Sequence, residues 1–64
     1  MDLSRFETMD SNILLGIVNE KLRLECDSLD DLAGYFDIPK EGLEQKLEHI
    51  GFQYDFISNQ FKQF

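Results

Sequence analysis

The sequence predicts a mainly α-helical domain: three helices, about residues 10–25, 28–36 and 39–50, closed by a C-terminal β-hairpin of about 52–55 and 60–63. Three observations predict it. Apolar residues recur every three or four positions from Ile13 to Ile50, the spacing that lines one side of a helix. Two start signals, Asp10 and Ser28, and one stop signal, Gly51, divide that run into pieces of helical length. After Gly51 the period falls to two, with Phe52 and Tyr54 alternating with Gln53 and Asp55, and Phe61 with Gln60 and Lys62, as on a half-buried strand. Two short helices joined by a tight turn and followed by a hairpin trace the outline of a winged helix-turn-helix unit.

Residues 1–8 show neither a clean period nor a cap, and read as a flexible extension lying loosely on a single domain of residues 9–64. Asp10 caps the first helix, with Met9 and Leu14 spaced as a hydrophobic staple across it. Ile13, Leu14, Ile17, Val18 and Leu22 form its apolar stripe. Gly16 costs this helix about 1 kcal/mol relative to Ala, and so reads as the mark of a close helix crossing. Ser28-Leu29-Asp30-Asp31 is a capping-box pattern in which the hydroxyl takes the third amide and Asp31 reaches back.

Leu29, Leu32, Ala33 and Phe36 share one face of the second helix, with small Ala33 where the helices approach. Asp37 occupies the turn, where φ > 0 is needed and Asp is among the few residues besides Gly to tolerate it. Ile38 plugs the core and Pro39 suits the first turn of the third helix. Leu43, Leu47 and Ile50 anchor that helix until Gly51 stops it. The loop Phe56-Ile57-Ser58-Asn59 closes the hairpin. Alone the hairpin would be marginal, so Phe52, Tyr54 and Phe61 must lean on the helices.

Composition bounds the function. Sixty-four residues hold one core at most, and a chain of this size buries only about 60% of its unfolded surface. The single Cys26 excludes an internal disulfide or a cysteine-based metal site and fits a reduced, cytoplasmic setting. Met1–Phe6 has neither a basic start nor an apolar run, so it is not expected to be a signal peptide. No stretch approaches the roughly 20 apolar residues of a membrane span.

The formal net charge is −7. Residues 26–38 hold Asp27, Asp30, Asp31 and Asp37 with no base, whereas residues 52–64 balance one Asp against one Lys. Such a surface repels phosphates and anionic lipid headgroups alike and suits a neutral or basic protein partner. The solvent side of the third helix would carry Lys40, Glu41, Glu44, Gln45 and Glu48. In a helix-turn-helix reader that side enters the major groove. Gln45 could read an adenine there, but one amide does not outweigh the carboxylates beside it, and direct nucleic-acid binding is not expected.

Chemistry-bearing constellations are absent from the pattern. Asp27, Asp30 and Asp31 lack the alternation and central glycine of a calcium loop, and acids in a first turn are explained by the helix dipole. His49 suits a helix C-terminus on the same ground, and nothing places it beside Cys26. No nucleophile triad, glycine-rich phosphate loop or paired-carboxylate cleft is visible. Catalytic residues, cofactors and metals are therefore not expected. Phe56 and Ile57 stand where polar turn residues belong, and Phe64 adds an aromatic at the C-terminal end. Either they fold back over the helices and complete a thin core, or they form an exposed patch that meets a partner or a second copy of the chain.

From Met9 to Phe61 the sequence resembles a family of very short bacterial proteins described as a domain of unknown function. The resemblance is carried by Asn12-Ile13-Leu14-Leu15, Val18-Asn19-x-Lys21-Leu22-Arg23 and Ser28-Leu29-Asp30-Asp31-Leu32. Gly51-Phe52-Gln53-Tyr54-Asp55 and Asn59-Gln60-Phe61 complete it. It implies that Met9 corresponds to the start of shorter members. Pro39, where the family places a polar cap, and Phe56-Ile57, where it places a polar loop, are departures. The resemblance implies no activity or cofactor. The expectation is a cytoplasmic, non-enzymatic, acidic protein-interaction module touching its partner through Phe56, Ile57, Phe64, Glu41, Glu44, Gln45 and Glu48. The alternative is a nucleic-acid-linked role, as a helix-turn-helix DNA-binding subunit or an acidic DNA mimic.

Overall fold

A computed structural model describes residues 3–64. A 3-10 turn, Phe6–Thr8, precedes helices α1 (Ser11–Leu24), α2 (Leu29–Phe36) and α3 (Lys40–Glu48) and strands β1 (Phe52–Asp55) and β2 (Gln60–Gln63). The strands pair antiparallel in the register Phe52↔Gln63 to Asp55↔Gln60. The mainly α architecture with a terminal hairpin is the expected one, and each boundary has a local cause.

Asp10 caps α1, its Oδ1 accepting from the amides of Asn12 and Ile13 at 2.8 and 3.3 Å. Ser28 Oγ accepts from the Asp31 amide at 3.0 Å. This is only half of the expected capping box, because among the described residues the Asp31 carboxylate makes no return bond. Asp37 ends α2 in the left-handed region, φ 56° and ψ 51°, and lets Ile38 turn back into the core. Pro39 sits one position earlier than expected, as the N-cap of α3 with no side-chain bond. Gly51, at φ +84°, starts the hairpin, a conformation in which any Cβ would be strained.

The core joins Leu14, Val18 and Leu22 of α1 to Leu29, Leu32 and Ala33 of α2, Leu43 and Leu47 of α3, and Phe61 of β2. Phe52 and Tyr54 pack on it half-buried, so the hairpin does lean on the helices. Three expectations are corrected. Ile13 leaves the stripe and is 61% exposed, one position round the helix from Leu14. Gly16 marks no crossing, since a Cβ there would meet nothing within 4 Å.

The third correction is the largest. Residues 3–8 do not lie loosely on the surface (the first two residues fall outside the described ones). Leu3 is 0% and Phe6 2% exposed, and the Phe6 ring reaches to 3.4 Å from the position a Cβ on Gly42 would take. The Phe6 amide donates to the Leu3 carbonyl at 3.0 Å, winding the segment into a turn. Lys46 Nζ holds the Glu7 carbonyl at 3.1 Å. The physical reason is size: three short helices leave α3 with uncovered apolar surface, and two large side chains from the N-terminal segment cover it.

Candidate functional site

Two surfaces gather the residues that sequence reasoning singled out. The first is the outer side of α3. Leu43 and Leu47, one turn apart, point inward and are fully buried, which turns Glu41, Gln45 and Glu48 to solvent and leaves Glu44 half-buried at their edge. The helix has two lysines, and both are drawn off this face. Lys40 Nζ pairs with Asp30 Oδ1 of α2 at 2.9 Å, and that hydrogen bond and charge raise its pKa above the ordinary lysine value. Lys46 bonds the Glu7 carbonyl. Among the described residues Glu41, Glu44 and Glu48 have no ion-pair partner. The face is thus more anionic than its composition suggests.

The second surface is the hairpin. Phe56 is 80% and Ile57 84% exposed at its tip, and Phe64 71% exposed at its open end. That exposure overturns the reading in which they fold back over the core. The tip is nevertheless held firmly. Asp55 Oδ1 accepts from the Ile57 amide at 3.2 Å, Oδ2 accepts from Ser58 Oγ at 2.9 Å, and Lys62 Nζ stands 3.4 Å from Oδ2. The Ser58 hydroxyl, then the Ile57 amide, and finally Lys62 hold the Asp55 carboxyl below the ordinary carboxylate range. Two large apolar side chains are therefore presented on a turn ordered in advance, which lowers the entropy cost of docking.

A set of polar residues that sequence reasoning did not assign fixes the hairpin to the helices. Asn59, at φ 57°, donates through Nδ2 to the carbonyls of Leu22 and Cys26 at 2.9 and 3.0 Å. Its Oδ1 accepts from the Tyr54 hydroxyl at 2.6 Å, and Tyr54 Oη accepts from the Leu29 amide at 3.3 Å. The two side chains thereby satisfy orphan backbone groups at the end of α1 and the start of α2. Asn19, on α1, accepts from the Phe61 amide at 2.7 Å and donates to the Phe61 carbonyl at 3.2 Å. Gln60 Nε2 adds a bond to the Asn19 carbonyl at 3.0 Å. The available signal was an asparagine among the apolar positions of α1 and another at the end of the loop.

The remaining candidates are structurally dispersed. Asp30 is engaged with Lys40, while Asp27 and Asp31 are exposed. Among the described residues no three His, Cys, Asp or Glu side chains converge as a metal-ligand set. His49 is exposed at the C-cap of α3. A surface concavity of about 560 Å3 opens between the end of α1 and the loop, with Arg23, Glu25, Asp27 and Ser58 among its lining. Cys26 also lines it, but burial, then the nearby Glu25 and Asp31 carboxylates, push that thiol pKa up, away from the thiolate a nucleophile needs. Among the described residues no helix is long and apolar enough to cross a membrane.

A family model for DUF4250, a domain of unknown function, matches residues 8–61. No curated protein and no solved structure matches the chain. The matched span takes in all three helices, β1, and β2 as far as Phe61, so both Asn19 and Asn59 fall inside it and Leu3 and Phe6 outside: the chain belongs to the DUF4250 family.

Proposed function

We propose that this protein is a small, non-enzymatic interaction module of the cytoplasm that docks a basic protein partner on the outer side of α3. The observation that carries the reading is the removal of both α3 lysines from that side, Lys40 to Asp30 and Lys46 to the Glu7 carbonyl. What is left is a run of carboxylates on a rigid helix, complementary to a cationic surface and repulsive to phosphate. The apolar tip, Phe56 and Ile57, supplies the kind of preordered anchor that concentrates binding energy. Gln45 lies between Glu41 and Glu48, so the one side chain suited to reading a base is flanked by groups that repel the backbone around it.

The test is a charge reversal, Glu41→Lys with Glu44→Lys and Glu48→Lys, compared with the natural chain in capture from the source cells, followed by titration against each purified captured protein. The expected outcome is a basic protein whose affinity for the natural chain falls as salt rises and is lost on reversal. Tight binding of the natural chain to duplex DNA at about 0.15 M salt would refute the reading and favour a DNA-binding subunit. Capture restricted to DNA-binding proteins, competed away by duplex DNA, would favour the mimic.

A further inference from the structure

We infer that the free edge of β1 is a self-pairing surface, through which two copies of the chain join their hairpins into one four-stranded antiparallel sheet. The bond from the Phe64 amide to the Gly51 carbonyl, 3.0 Å, makes that pair a hydrogen-bonded one. Antiparallel ladders alternate, so Gln53↔Lys62 and Asp55↔Gln60 are also bonded pairs. The amides and carbonyls of Phe52 and Tyr54 on β1, and of Phe61 and Gln63 on β2, consequently point away from the ladder. On the β2 side Asn19 closes the edge at Phe61. On the β1 side the backbone groups of Phe52 and Tyr54 have no hydrogen-bond partner among the described residues.

Sheet edges left open in this way are ordinarily defended by shortness, charged side chains, Pro or a bulge. β1 reads Phe-Gln-Tyr-Asp, a strand of four residues with no Lys, Pro or bulge. Its one charge, Asp55, is already matched by Lys62. A second copy is the occupant this edge fits, and charge is the reason. The chain carries −7, so most pairs of surfaces from two copies would bring carboxylates together. Residues 52–64 hold one acid and one base, and are the part of the molecule that meets its own kind without that repulsion.

The geometry is self-complementary about a twofold axis through Gln53. Phe52 then bonds Tyr54 of the second copy and Tyr54 bonds Phe52, while the two Gln53 residues face each other as a non-bonded pair. The antiparallel arrangement lays the tip of each hairpin, Phe56 and Ile57, beside the open end of the other, where Phe64 is exposed. Those three side chains offer roughly 450 Å2 of exposed apolar surface per copy, taking about 200 Å2 for a fully exposed aromatic ring. That is about half of what each side of a standard interface buries. The dimer is accordingly concentration-dependent rather than obligate, and it leaves the acidic side of α3 free for another protein.

Sedimentation equilibrium on the full chain tests this. The expected result is the 7.5 kDa chain mass at about 1 µM, rising toward twice that mass at several hundred µM, the range of an interface below standard size. Gln53→Glu sets two like charges across the axis, on residues whose Cα atoms lie ~4.5 Å apart in a non-bonded pair, while facing Lys62 of its own hairpin; it should weaken the dimer at least tenfold, with the circular dichroism of the monomer unchanged. Gln53→Cys should cross-link under a glutathione buffer, because that Cα separation suits a disulfide. Gln63→Cys, on the outer strand, should cross-link at least tenfold more slowly. A mass fixed at that of one chain throughout overturns the proposal. So does a dimer indifferent to Gln53→Glu, or cross-linking no faster at position 53 than at 63.

Discussion

Removing the Asn59 side chain should take a large share of this domain's stability, although the residue lies in the loop that closes the hairpin. Its carboxamide makes three bonds, to the carbonyls of Leu22 and Cys26 and from the Tyr54 hydroxyl. Each such bond contributes about 1 kcal/mol net, and half-buried partners left without one add to the loss. Asn59→Gly keeps the backbone comfortable at φ 57° and should cost about 3 kcal/mol on that arithmetic. Asn59→Ala keeps a Cβ in the left-handed region without the polar side chain that lets Asn tolerate it, and should cost about 1 kcal/mol more than the Gly variant. A chain of this length has a total stability of roughly 3–10 kcal/mol. In urea, with a slope near 1 kcal/mol/M for a small domain, the Gly variant's midpoint should fall by about 3 M. Tyr54→Phe, which loses one bond and strips the Leu29 amide of its acceptor, should fall about half as far. An Asn59→Gly midpoint within about 0.5 M of the natural chain would refute the claim that this amide ties α1, α2 and the hairpin together.

Other perturbations follow from the same geometry. Phe6→Ala should cost about 3–5 kcal/mol and Leu3→Ala about 2–5, against less than about 0.5 for the exposed Ile13→Ala; calorimetric midpoints unmoved by the first two would return residues 3–8 to the surface. Gly16→Ala should stabilise by about 0.5–1 kcal/mol, because helix propensity rises and a Cβ meets nothing within 4 Å; a lowered midpoint would reveal a contact at that face. The Asp55 carboxyl lies below the ordinary carboxylate range, so its contribution to the turn is complete above that range and is lost as pH falls through its own lower value. An NMR titration should show the Asp55 carboxyl carbon and the Ile57 amide moving together at a midpoint under the unperturbed ~3.9; a midpoint at or above it removes the argument.

The elements were legible because each rests on a local signal. Asp10 and Ser28 bond the amides that a cap must bond, Asp37 and Gly51 take the positive φ that a turn demands, and β1 and β2 alternate as half-buried strands do. What escaped was decided between elements. No period betrays Leu3 and Phe6, because a 3-10 turn of three residues is too short to have one; their burial follows from the volume three helices fail to fill. Ile13 and Gly16 were assigned from one helix considered alone, whereas the partner that would have covered them lies elsewhere. Of the candidate site, the acidic side of α3 was visible in composition. Its sharpening was not, since the pairing of Lys40 with Asp30 and of Lys46 with the Glu7 carbonyl depends on where α2 and the N-terminal turn come to rest. The polar clamp was hidden for the same reason: Asn19 and Asn59 find their partners 42 and 37 residues away.

The carboxamide of Asn19 offers one donor and one acceptor in a plane, the pair a neighbouring strand would present. It is in effect a strand one residue long. Sliding β2 by a single position would bring Gln60 or Lys62 opposite it, and their peptide groups are already committed to β1. Helix α1 thus acts as a ruler for a hairpin that follows it by some forty residues. The strands come into step only with Phe61 beside Asn19.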